Sequence, residues 1–161
     1  MLQTLKIKHF MIRCTYLVFI LLGLSSFKGI SQDRFTLKNK NIEISIDNEG
    51  NLTDLKNRIT GQNYASGKSL WRLYFDRENE KEIQVLAADN KPLIQSDDQQ
   101  ILINYKTIKA RGTKLNFSLS LKITLEEETI RFGSEISNNE QHTVIRELQY
   151  PLVGNLQVPS N

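Results

Sequence analysis

Lys114-Leu115-Asn116-Phe117-Ser118-Leu119-Ser120-Leu121-Lys122-Ile123-Thr124-Leu125 is the stretch that decides the fold. Leu115, Phe117, Leu119, Leu121, Ile123 and Leu125 alternate strictly with polar neighbours. A helix turns every 3.6 residues and would scatter these side chains around its circumference, whereas a strand puts all of them on one face. The segment is therefore a β-strand with one buried face.

The same period runs outward in both directions. Downstream, residues 129–137 place Ile130, Phe132, Ser134 and Ile136 inward, the turn Asn138-Asn139-Glu140-Gln141-His142 follows, and 143–150 forms a last strand. Upstream, 100–109 puts Ile101, Ile103 and Tyr105 on one side, and 82–87 is a short strand stopped by Asp89-Asn90-Lys91-Pro92. Residues 70–76 alternate Trp71, Leu73 and Phe75 against Arg72, Tyr74 and Asp76. Residues 41–46 set Ile42, Ile44 and Ile46 against Glu43 and Ser45. Asp47-Asn48-Glu49-Gly50-Asn51 then reverses the chain into Leu52-Thr53-Asp54-Leu55. Gly50 supplies the positive φ that such a tight reversal requires. The pattern predicts about eight or nine antiparallel strands and no amphipathic helix, which pack as a single all-β sandwich over residues 32–161.

The first 31 residues have a different character. Lys6, Lys8 and Arg13 precede the apolar run Tyr16-Leu17-Val18-Phe19-Ile20-Leu21-Leu22-Gly23-Leu24, and Ser25 to Ser31 is polar and rich in small residues. Positive, apolar and small-residue parts in that order are those of a cleavable export signal, with Gly29 and Ser31 at the −3 and −1 positions of a cut before Gln32. The run is roughly half the length that a bilayer-spanning helix needs, so no stable membrane anchor is expected. Cys14 precedes the run rather than following it, which excludes a lipoprotein signal. The expected location is the periplasm or the extracellular space.

Removing the signal changes the charge argument. Of 21 basic residues, four (Lys6, Lys8, Arg13, Lys28) lie in it, and none of the 18 acidic ones does, so the mature chain carries about −1. The electrostatic footprint of a nucleic-acid-binding protein is missing. The single cysteine, Cys14, is lost as well, which removes disulfides, thiol nucleophiles and cysteine-zinc sites.

The remaining inventory of catalytic groups is thin. His142, in a turn, is the one histidine after residue 31, and there is no glycine-rich phosphate loop or nucleophile elbow. Asp97-Asp98 and Glu126-Glu127-Glu128 fall where turns are expected, and alternation sends Asp47 and Glu135 outward. No catalytic residue, cofactor or metal site is assigned. Arg72 and Tyr74 are the carbohydrate-contact candidates: a cation and a phenol two residues apart on the outer face of one strand can hydrogen-bond a polyol.

The order of segments resembles the opening of the galactose-mutarotase-like β-sandwich. The resemblance rests on residues 41–46, then Asp47-Asn48-Glu49-Gly50-Asn51-Leu52-Thr53-Asp54-Leu55-Lys56-Asn57, then Thr60-Gly61. Leu70-Trp71-Arg72-Leu73-Tyr74-Phe75 follows as the next strand. Arg146-Glu147-Leu148-Gln149-Tyr150-Pro151-Leu152 is similar to the segment in which such modules approach a following catalytic barrel. The likeness covers most of residues 35–156. It implies a partial supersandwich, the N-terminal module of a bacterial glycoside hydrolase whose (β/α)₈ barrel, with the catalytic carboxylates, would lie beyond Asn161. A mutarotase proper uses histidine acid chemistry with a carboxylate, and one turn histidine does not supply it. The expectation is a non-catalytic exported module that contacts glycan or packs against a hydrolase barrel. The alternatives are an exported interaction or structural domain without a sugar connection, and a free-standing hydrolase or isomerase. A truncated sandwich would also expose strand edges and self-associate through them.

Overall fold

The computed structural model describes residues 34–65 and 68–153, so the export signal and Cys14 lie outside the described residues. In chain order the strands are β1 (Arg34–Lys38), β2 (Ile42–Asp47), β3 (Leu52–Asn57), β4 (Arg72–Arg77), β5 (Glu80–Leu86) and β6 (Leu93–Ser96). They continue with β7 (Gln100–Tyr105), β8 (Ile108–Ala110), β9 (Thr113–Leu115), β10 (Phe117–Leu125), β11 (Ile130–Asn138) and β12 (Thr143–Gln149). One 3₁₀ turn, Ala87–Asp89, is the sole helical element among the described residues. The all-β antiparallel sandwich expected from the period-two pattern is the fold observed.

The strands form sheets in the orders β1-β2-β3, β12-β4-β5 and β11-β10-β7-β6, with β8-β9 as a separate hairpin. Register puts apolar residues opposite one another throughout. Ile44 faces Leu37 and Leu55; Phe75 faces Ile145 and Ile83; Ile123 faces Ile101 and Phe132. Because paired residues share a face, this register gives each sheet one continuous apolar side, and those sides meet. Trp71 packs edge-on against Tyr105 at 5.0 Å between ring centroids, and Phe75 against Phe117 at 5.3 Å. These two contacts join the β4 layer to the β7-β10 layer at the centre of the core. Leu37, Ile44, Ile46 and Leu52 extend the same cluster into the first sheet.

Two turns need their glycines. Arg111 (φ 49°) and Gly112 (φ 80°) connect β8 to β9 with positive φ at both central positions, the two-residue turn whose twist matches antiparallel strands. Gly50 (φ 84°) has a second constraint: a Cβ there would lie 2.6 Å from the Tyr105 hydroxyl. The acidic glycine turn is thereby seated on the buried aromatic pair.

Several elements differ from the sequence expectation. Residues 100–109 are two strands, because Ile108 is buried along with Ile101, Ile103 and Tyr105. A step of three positions from 105 to 108 reverses parity, and the chain must break its extended run to bury both. Residues 114–125 are likewise split at Asn116, whose amide bonds the Glu140 carboxylate and whose carbonyl accepts from Asn139 N. β1 and the four-residue β6 lie in stretches the alternation left unassigned. Ser45 takes the face opposite Ile44 as expected, yet it is fully buried there. Its hydroxyl pairs with Thr36 at 2.9 Å, and its carbonyl accepts from Thr53.

Candidate functional site

Asp76 is the starting point. Its parity in β4 directs it away from Leu73 and Phe75, to the outer face, but it is only 5% exposed. Irregularities in both neighbouring strands cover it. Between β4 and β5 the register runs Phe75 to Ile83 and then Arg77 to Glu80, so Lys81 and Glu82 together oppose Asp76. Glu82 adopts φ 54° to make this possible. Between β12 and β4 the register shifts between Ile145 and Glu147, with Arg146 as the extra residue. A β-bulge re-aims side chains that would otherwise alternate. Here two bulges flank one carboxylate, and consecutive residues of each neighbouring strand, Lys81-Glu82 and Arg146-Glu147, turn toward the same cleft.

The cleft has a volume of about 500 Å³ and is lined by Tyr74, Asp76, Lys81, Glu82, Arg146 and Glu147. Asp76 Oδ1 accepts the Glu82 backbone N–H at 2.9 Å. Its Oδ2 accepts Arg146 Nε and pairs with Arg146 Nη2, both at 2.6 Å, and Lys81 Nζ stands 3.5 Å away. The Glu82 amide and then the Arg146 guanidinium hold the carboxyl below the usual carboxylate range, against the opposing effect of burial. A group held ionised in this way is shifted in the wrong direction for a general acid. Its chemical role is to fix two cations and a backbone amide at the floor of the cleft.

Tyr74 sits at the cleft wall. Its hydroxyl accepts from Arg72 Nη1 at 3.3 Å and from Gln84 Nε2 at 3.2 Å, leaving its own proton available. Across the sheet Tyr74 is flanked by Gln84 on β5 and Glu147 on β12, and Gln149 donates to Glu147 at 3.0 Å. Of the two sequence candidates, Tyr74 therefore lines the cleft directly. Arg72 lies one step back on the same face and acts on Tyr74 rather than on the cleft. Both are half-buried rather than fully solvent-facing. Alternation alone does not mark Asp76, Lys81, Glu82, Arg146 or Glu147 as site residues. Asp76 was legible as outward-facing, but its partner Arg146 lies 70 positions away and both bulges are invisible to periodicity.

Two other carboxylates close turns. Asp47 accepts the amides of Glu49 and Asn51, and Asp97 accepts those of Gln99 and Gln100. Glu126 pairs with Arg131 at 2.6 Å, Glu135 is exposed, and His142 occupies a turn at φ 55°. Among the described residues no group of three His, Cys, Asp or Glu side chains is arranged to hold a metal ion, and no helix is long and apolar enough to cross a membrane. A second concavity of about 330 Å³, lined by Ile42, Leu55, Lys56, Asn57, Tyr64, Ile130 and Phe132, is apolar and offers little to a polar ligand. No family model, no curated protein and no solved structure matches the chain.

Proposed function

We propose that this chain is an exported, non-catalytic β-sandwich module of the galactose-mutarotase-like type, and that it contacts glycan through the outer face of β12-β4-β5. One observation carries the reading. The cleft combines an aromatic ring, Tyr74, with cationic donors (Lys81, Arg146) and carboxylate acceptors (Glu82, Glu147) on a rigid sheet. A sugar presents hydroxyls that both donate and accept, together with an apolar ring face, so it needs this mixture. A purely apolar or single-sign surface lacks it. The segment order described above supports a carbohydrate-linked context, and residues 1–31 support export.

The test is isothermal titration calorimetry and glycan-array binding with the full chain and with Tyr74→Ala. The expected outcome is binding to at least one oligosaccharide class, weakened about tenfold or more by Tyr74→Ala, which corresponds to about 1.4 kcal/mol. Absence of binding to every glycan, or binding that Tyr74→Ala leaves unchanged, overturns glycan contact at this face. Complex formation with a glycoside hydrolase catalytic domain under those conditions would assign the module to barrel packing instead.

A further inference from the structure

Among the described residues the sheet edges of this fold are guarded, with one exception. β6 is four residues long and β1 is five. β12 and β5 are bulged at Arg146 and at Lys81-Glu82. The outer side of β3 is covered by bridges from Asn51 to Ser69 and from Lys56 to Asn63. Short strands, bulges and covering segments are the usual means of preventing edge-to-edge pairing. Among the described residues β11 has none of these three, and its charged residues are one cation, Arg131, and one anion, Glu135. It runs nine residues in unbroken register with β10, contains no proline, and ends the sheet β11-β10-β7-β6. Its inward residues Ile130, Phe132 and Ile136 remain half-buried, and its outward residues Arg131 and Glu135 are exposed.

The sequence of this edge is complementary to itself. When a strand pairs antiparallel with its own copy about a two-fold axis perpendicular to the sheet, opposed residues share a face, so the register must be centred on one residue. Centred on Gly133, Arg131 meets Glu135 twice on the outer face, Ile130 meets Ile136 twice on the inner face, Phe132 meets Ser134, and glycine meets glycine. Registers centred on Phe132 or Ser134 pair no opposite charges. Those centred on Arg131 or Glu135 set like charges against each other. The inner faces of the two copies lie on the same side of the extended sheet, so the half-buried isoleucines of one copy cover those of the other.

We infer that β11 is a homodimerisation edge, with a second copy of this chain docked antiparallel about Gly133 to give one continuous sheet of two four-stranded halves. Arg131 exchanges its present partner Glu126, on the same chain, for Glu135 of the other copy. This inference does not depend on the glycan reading, because the cleft lies on a different sheet.

Sedimentation velocity and light scattering of the full chain test the assignment. The wild type is expected to dimerise with concentration and to dissociate as salt rises. Arg131→Glu alone, and Glu135→Arg alone, each remove two ion pairs and oppose two sets of like charges per dimer. Each is expected to raise the dimer dissociation constant about tenfold or more. The double variant R131E/E135R restores the complementarity and is expected to recover the wild-type constant, even though the contact of residue 131 with Glu126 stays broken. Both positions are surface-exposed, and an unchanged far-ultraviolet circular dichroism spectrum confirms folding. Gly133→Cys in a Cys14→Ser background places the two thiols opposite each other at the two-fold axis, within reach of a short bifunctional thiol reagent. A strictly monomeric wild type, a dimer indifferent to single charge reversal, or a double variant weaker than both singles overturns the inference.

Discussion

β10 and β11 are neighbours of equal length, paired residue for residue, and both alternate apolar with polar side chains. Their apolar faces nevertheless sit at different depths. Phe117, Leu119, Leu121 and Ile123 of β10 are at most 1% exposed, whereas Ile130, Phe132 and Ile136 of β11 are only half-buried. β10 has strands on both sides and the β4 layer above it, while β11 has a strand on one side only. Periodicity states which face a side chain takes. How deeply that face is buried depends on the number of neighbouring strands, and local sequence does not contain it.

The largest expected effect tests this contrast directly. Leu121→Ala removes side-chain volume from a site closed on every side and is expected to cost about 3 kcal/mol in chemical denaturation, because a filled core relaxes only partly around a cavity. Phe132→Ala deletes a larger side chain but from the half-open edge, and is expected to cost about half as much. Equal losses would mean that β11 is covered in solution, which is the outcome the self-pairing edge predicts at concentrations where the dimer forms. The measurement therefore belongs at two protein concentrations.

The same contrast explains what could be read in advance. The strict run from Leu115 to Leu125 fixed an all-β fold because no helix satisfies it, and the turn at Gly50 followed from residue chemistry. Breaks in strands were not legible at Tyr105-Ile108, since nothing in a local window says that Ile108 must also reach the core. Nor was the short β6, whose residues Leu93 to Ser96 are mostly exposed and carry no alternating signal. At the candidate site, Tyr74 was found because outward parity is a local property. Asp76 and Arg146 were not joined, because their contact depends on two bulges and on the pairing of β4 with β12 across about half the chain.

A somewhat smaller effect is expected at the turn that closes over the β7-β10 core. Gly50→Ala combines a left-handed backbone with a Cβ placed 2.6 Å from the Tyr105 hydroxyl, so either the turn or the ring must move. A loss of about 2 kcal/mol is expected, of which roughly 1 kcal/mol or more comes from the backbone alone. Gly50→Ala with Tyr105→Phe separates the two contributions. Recovery of part of the loss in the double variant assigns that part to the hydroxyl, and no recovery assigns it to the backbone together with the Pro92 ring, 3.3 Å from the added Cβ.

The edge opposite β11 provides a pH-dependent comparison. Asp97 closes the turn between β6 and β7, and the Gln99 amide, then the Gln100 side chain and amide, hold its carboxyl below the usual carboxylate range. A depressed folded pKa contributes stability that is fully present above the unfolded value and is lost as pH falls through the folded one. Thermal melts of the wild type should therefore decline in acid below about pH 4, where Asp76 titrates in the same direction. Asp97→Asn should melt lower than wild type at neutral pH and show a shallower acid decline. An unchanged acid slope would remove Asp97 as a contributor and leave β6 without its electrostatic clasp.

The smallest expected effect has the opposite sign. Gly133 lies at the middle of β11 without a positive φ, and a Cβ there would meet only the Lys122 Cβ, at 3.9 Å. Among the described residues nothing requires glycine at this position. Glycine in a strand interior loses more backbone freedom on folding than alanine does, so Gly133→Ala should stabilise the monomer by about 0.5 kcal/mol. The residue makes sense if its selection operates between copies, where the two strands pair side by side and residue 133 of each stands directly opposite the other at the two-fold axis. Denaturation at low concentration should then show the gain, while sedimentation shows unchanged or weaker dimerisation. Destabilisation at low concentration would instead place the requirement for glycine inside the single chain.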